Sequence, residues 1–379
     1  MKKVIGHSNS KGENWLFSKR IDLIVLFVPV WIIWTLFLSN QDYYESAEIP
    51  AWLWLVVILG IDVSHVWSSL FRTYWYKDEF ETHKRRLIAI PIILFILSCL
   101  VLLYSPAWFW TIMAYLAVFH FIKQQYGFLA LYNYRAGCRR KKLVSDKLII
   151  YIATLYPIIY WHFNSQSEFN WFVENDFLAL GQYIKDSSIV TEVFYYLSWL
   201  YWSIIGYWTF DEIRGKVKGE PFSYGKVLWT LTTALNWWFG IVYFNSDLVF
   251  SVSNVVAHGI PYVALIYFYD VKKASIKSGL NPKITFLVKR LLIILGVIVI
   301  AALVEEYFWD MLVYNEHSSI FERIFPYNWE QLTSSWGLAI AVAVLALPQQ
   351  VHYVIDGFIW KMNDKNKYLK PIFSRKHES

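Results

Sequence analysis

Four apolar stretches of the chain each carry one histidine with polar companions at helical spacing. In GIDVSHVWSSLFR, Asp62 and His65 are three residues apart and share a helix face. In VFHFIKQQYGF the set is His120, Lys123 and Gln124; in SVSNVVAHGIPY it is Ser251, Asn254, His258 and Tyr262; in LPQQVHYVIDGFIWK it is Gln349, His352 and Asp356. Neutral imidazole is a common metal ligand, and its second nitrogen is usually held by a carboxylate, a carbonyl or an amide. Asp62 and Asp356 are therefore candidate ligands or holders of ligands, and Asn254 and Gln124 are placed to orient His258 and His120. Lys123, one turn from His120, could bind a substrate carboxylate or phosphate, pair with Asp62 or Asp356, or snorkel to the headgroups. Ligation by histidine and carboxylate suits iron, zinc or manganese. No thiolate belongs to the set, which argues against an iron–sulfur cluster.

The elements that carry these residues are membrane spans. Of 379 residues, 57% are hydrophobic and 17% charged, against about a quarter charged in ordinary soluble domains; mean hydropathy is +0.36. Such a chain cannot cover itself with polar surface. Its 21 Trp and 27 Tyr suit the headgroup level, where an apolar ring and a polar tip are both satisfied. The first twenty residues are polar and no small-residue cleavage site follows the first apolar run, so that run is expected to be a retained span. Cys99 and Cys138 imply no disulfide framework.

Ten stretches are apolar and long enough to cross a bilayer core of about 30 Å: 21–38, 51–70, 87–105, 107–130, 147–163, 189–210, 226–244, 248–269, 287–304 and 336–360. The connections alternate between basic and acidic or uncharged. Ten spans put every basic connection on one side, which the positive-inside rule makes cytoplasmic, along with both termini. The expected fold is an all-α polytopic transmembrane helical bundle, a single integral membrane domain over residues 1–379, with lipid as its solvent and no nucleic-acid partner. Two outer segments, Ser165–Ser188 and Glu305–Ser335, read as amphipathic helices at the interface. Gly259–Pro261 and Pro348 are the best candidate breaks within spans, and His83 reads as a solvated loop residue.

On this topology, spans two, four, eight and ten run in the same direction. In each, the histidine precedes the first basic residue of the following cytoplasmic connection by about 7 to 15 positions, or roughly 10 to 22 Å at ~1.5 Å per residue. Four histidines on four helices thus share a layer in the cytoplasmic half of the membrane. The structural alternative for any one of them is a packed imidazole donating to a neighbouring helix's carbonyl.

The reading that uses all four is a membrane-embedded, metal-dependent enzyme with His65, His120, His258, His352, Asp62 and Asp356 at the metal, and Lys123, Gln124, Asn254, Tyr262 and Gln349 around it. Iron is favoured over zinc because such ligation leaves positions for oxygen. The function expected is then a non-haem iron oxidoreductase acting on a lipid-like or apolar substrate from the cytoplasmic half of the bilayer. The lipid desaturases and hydroxylases are similar in architecture alone, because their HxxxH and HxxHH pairs do not occur here. Three alternatives use fewer of the residues: a proton-coupled transporter relaying through Asp–His pairs, bis-histidine haem ligation, and a membrane-bound transferase in which only His352 and Asp356 are catalytic.

Overall fold

The structure is a computed structural model describing residues 15–41, 44, 50–138, 140–164, 171–178, 180–184, 187–317, 320–321, 332, 334 and 335–374. It is helical, with no strand among the described residues. The rods are α1 (Lys19–Ser39), α2 (Ala51–Arg72), α3 (Lys77–Tyr104), α4 (Pro106–Ala136), α5 (Asp146–Phe163), α6 (Ser187–Val217), α7 (Tyr224–Trp237, extended by a π-helical turn, Trp238–Tyr243), α8 (Asp247–Ser278), α9 (Ile284–Tyr314) and the pair α10 (Ser335–Leu345) and α11 (Leu347–Ile359). A short helix, α12 (Leu369–Phe373), follows.

Each of the ten expected stretches falls on one of these rods. Among the described residues, five of the rods are long and apolar enough to cross a membrane (α1, α2, α3, α8 and α9), and six if α10 and α11 count as one bent span. The others fall short for visible reasons. α4 carries His120, Lys123, Gln124 and Gln125, and α6 is rich in Tyr and Trp, whose polar tips lower its hydropathy.

Local chemistry sets the ends. Ser105, Ser145, Ser223, Ser246 and Ser334 are N-caps whose side chains accept a backbone N–H in the first turn. Ser105 alone separates α3 from α4, and Pro106 opens α4. Gly137 and Gly279 close α4 and α8 at φ 69° and 68°, the left-handed conformation that glycine adopts without a Cβ penalty. Pro348, lacking an N–H, opens α11, and the chain bends there by 42°. The other expected break is absent: α8 runs unbroken through Gly259 and Pro261.

α8 is the central rod and packs on α1, α2, α4, α7 and α9. α3 and α9 are peripheral. They leave rows of bare aliphatic side chains, Ile88, Ile92 and Ile96 on one and Val288, Leu292 and Leu295 on the other. Contiguous apolar surface of this kind is costly in water and natural in lipid.

The basic ends of the rods are tied together by buried ion pairs. Arg72, fully buried at the end of α2, donates to Glu79, to the Ile359 carbonyl at 2.7 Å and to Asn366 Oδ1 at 2.9 Å. Tyr269 and Lys273 of α8 donate to the same Glu79 carboxylate at 2.7 and 2.5 Å. His83 is not a solvated loop residue: α3 begins at Lys77, and His83 is buried within it, 3.0 Å from Asn366 Oδ1. A second set joins α4, α5, α6 and α7. Arg140 donates to both carboxylate oxygens of Asp211 at 3.0 and 2.7 Å, and buried Lys226 pairs with Glu212 at 2.6 Å. The Arg140 and Lys142 side chains of the basic loop are thus engaged by the protein itself.

Removing one partner of a buried pair strands the other charge. Arg72→Met is expected to lower unfolding stability in detergent by about 3–5 kcal/mol, measured by denaturant titration of helical signal.

Candidate metal centre

His65 lies in α2 just past a π-helical run, Trp54–Val63. Such wide turns are common at functional sites. The Ser64 hydroxyl, donating to the Leu59 carbonyl at 2.9 Å, satisfies a backbone acceptor at the transition. His120 is in the middle of α4, His258 in the middle of α8 and His352 in α11 beyond the bend. α8 reaches α2 through Gly259. A Cβ there would lie 2.7 Å from Ile61 Cγ2 and 3.5 Å from the Cβ of His65, so only glycine permits this approach of the two backbones.

The four histidines converge. All are buried, at 0–4% exposure, and a nitrogen from each lies within 4.8 Å of the others'. His65 Nε2 and His258 Nε2 are 3.0 Å apart. The edge of a tetrahedral site with metal–nitrogen bonds of ~2.0–2.1 Å is roughly 3.3 Å, so this pair is already at ligand spacing. The Nε2 atoms of His120 and His352 have no hydrogen-bond partner. Leaving buried polar atoms unpaired costs free energy, and a cation at the centre would take up these lone pairs. The donor set therefore fits a metal ion.

The carboxylates flank the layer. Asp62 Oδ1 is 3.6 Å from His65 Nδ1, beyond hydrogen-bond reach. Asp356 Oδ2 is 3.9 Å from His120 Nε2 and 4.0 Å from His352 Nε2. Its other oxygen accepts from Tyr262 at 2.5 Å; Tyr262 OH is 3.1 Å from Ser69 Oγ, and Ser69 Oγ is 2.7 Å from His352 Nδ1. With Tyr262 donating to Asp356, Ser69 donates to Tyr262 and His352 Nδ1–H donates to Ser69. This order of donors leaves the His352 Nε2 lone pair free to face the other three rings.

A cavity of about 230 Å³ adjoins the layer. It lies toward the N-terminal ends of α2, α4, α8 and α11, the side that the charge pattern assigns as outer. On the opposite side of the layer lie Tyr262, bonded to Asp356, and the Arg72 side chain with Glu79 and Trp360. The segment 171–178 covers the cavity: Trp171 stacks on Phe250 at 5.4 Å and Phe172 on Trp110 at 5.5 Å. It is not the amphipathic α-helix expected of Ser165–Ser188. Asp176 accepts the N–H groups of Trp171 and Phe172 at 3.1 and 2.7 Å, Asn175 has φ 60°, and among the described residues a 3₁₀ turn, Leu180–Tyr183, follows. Side chains that bond their own backbone compete with the helix in this way.

Of the remaining candidates, Gln124 donates to the His258 carbonyl at 2.8 Å, so it steadies α8 and not the His120 ring. Asn254 and Gln349 line the cavity, and Gln349 donates to Tyr353 at 2.8 Å. Lys123 does not join the site. It is exposed, with its ammonium 5.5 Å from the Phe119 ring centroid. The sequence reading missed Ser69, which lies four residues after His65 on the same face and was legible as part of that stripe. It also missed Glu305 and Glu306, assigned to an outer connection although α9 continues to Tyr314. The second half of that connection, 322–331, lies outside the described residues.

Gly259→Ala tests the close approach. Overpacking of this kind typically costs about 1–3 kcal/mol, and it acts here between His65 and His258. The variant is expected to keep its helical signal while losing bound metal, read by mass spectrometry. No family model, curated protein or solved structure matches the chain.

Proposed function

We propose that the chain is a membrane-embedded metal enzyme, a non-haem iron oxidoreductase, acting on a lipid-like or apolar substrate. The observation that supports it is the convergence of four buried imidazoles from four helices, with the Nε2 atoms of His120 and His352 lacking any partner. In the full reading the bundle spans the bilayer ten times with its basic ends and both termini in the cytoplasm. His65, His120, His258 and His352 hold the metal, and Asp62 and Asp356 flank it. Bound iron would supply redox chemistry toward an apolar carbon. The protein's own part is to fix and shield. The Ser69–Tyr262–Asp356 chain sets the His352 tautomer, and Trp171 and Phe172 cover the cavity against water.

A proton-coupled carrier is the second reading, favoured by the acidic groups Asp62, Glu305 and Glu306 beside the histidines. The transferase reading has less support, since His352 and Asp356 are 4.0 Å apart and Asp356 is bonded to Tyr262 instead.

Metal content by mass spectrometry of detergent-purified protein separates these. One equivalent of iron is expected, and its loss when all four histidines are replaced by Ala. Folded protein without metal would sink the enzyme reading and favour the carrier. Ser69→Ala is expected to weaken metal affinity by about 10–100-fold, measured by competition with a chelator. An unchanged affinity would remove the tautomer-setting role.

A further inference from the structure

The cavity beside the histidines has chemistry that a metal does not use. Asp62, Glu305 and Glu306 line it, and no basic side chain does among the described residues. Glu305 accepts from the Trp67 indole at 2.6 Å, so one carboxylate is already held in place. A group of acids alone would indicate nothing, but two separate observations point to a ligand. Asn254, 1% exposed, lines the same space, and its Oδ1 has no partner. Three indoles, Trp110, Trp171 and Trp309, also line it, with Trp110 and Trp309 centred 6.1 Å apart. The faces of indole rings attract cations and the CH groups next to them.

We propose that this cavity binds a protonated amine carried on an apolar chain, as the head of the molecule presented to the histidine layer. The carboxylates balance its charge, Asn254 Oδ1 accepts one of its N–H groups, and the indoles pack against the methylenes beside the nitrogen. An inorganic cation would use the carboxylates but has no need of three indoles. The proposal rests on the metal reading only in calling the ligand a substrate.

The test is calorimetric titration of the full chain, in an uncharged maltoside detergent at neutral pH, with hexylamine, hexanol and magnesium chloride. Hexylammonium is expected to bind about tenfold or more tighter than hexanol. That preference should vanish in Glu305→Gln/Glu306→Gln, with metal content unchanged. Trp309→Leu keeps every carboxylate and should weaken hexylammonium alone, so the proposal remains testable if the double variant does not fold. Equal affinity for hexylammonium and hexanol in the unaltered protein would overturn the proposal. So would displacement of hexylammonium by magnesium, which would make this an inorganic cation site. Protein that purifies without metal and still prefers hexylammonium would support the proposal while sinking the metal reading.

Discussion

Imidazole nitrogens buried in an apolar bundle have no water to turn to, and this constraint governs the centre of the molecule. Each ring brings two nitrogens, and each nitrogen needs a partner or carries a desolvation cost. His65 and His258 meet that need partly through each other, and His352 through Ser69. The Nε2 atoms of His120 and His352 remain unpaired, and one nitrogen from each of the four rings lies within 4.8 Å of the others'. The helices are arranged so that four of these costly groups share one solution.

That arrangement demands stiff supports. α2 and α8 touch at a glycine, where the Ile61 methyl and carbonyl leave no room for a Cβ on the facing helix. Toward their basic ends, Arg72, Glu79, Lys273 and Asn366 tie α2, α3, α8 and the segment after α11 into one block. Buried ion pairs are weak as sources of stability, but they tolerate few alternative geometries. The histidine layer is therefore held between that block and the aromatic cover of residues 171–178.

Much of this was legible in the sequence because hydrophobic length and charge alternation are read directly by lipid and headgroups. The ten stretches fall on helical rods, and the four histidines were found from their polar companions at helical spacing. What could not be read depends on contacts between helices. Lys123 follows His120 at a plausible spacing, yet the packing of α4 turns it outward. His83 reads as loop until Asn366, nearly three hundred positions away in sequence, is brought against it. Glu305 and Glu306 were assigned to an outer connection because acids are costly in a span. Their cost is met by a cavity and by Trp67, which sequence spacing does not reveal.

Charge balance links the two proposals. Four neutral imidazoles around a divalent ion leave two positive charges in a medium of low dielectric, where uncompensated charge is expensive. Asp62 and Asp356 stand on opposite flanks of the layer, 3.6 to 4.0 Å from its rings, and together supply two negative charges. The metal centre is then neutral as a unit. Glu305 and Glu306 are surplus to that balance, and no basic residue faces them among the described residues lining the cavity. Either both hold protons, or one does and a single positive charge from outside the chain offsets the other. The three indoles around the same space favour the second, because proton storage has no use for them.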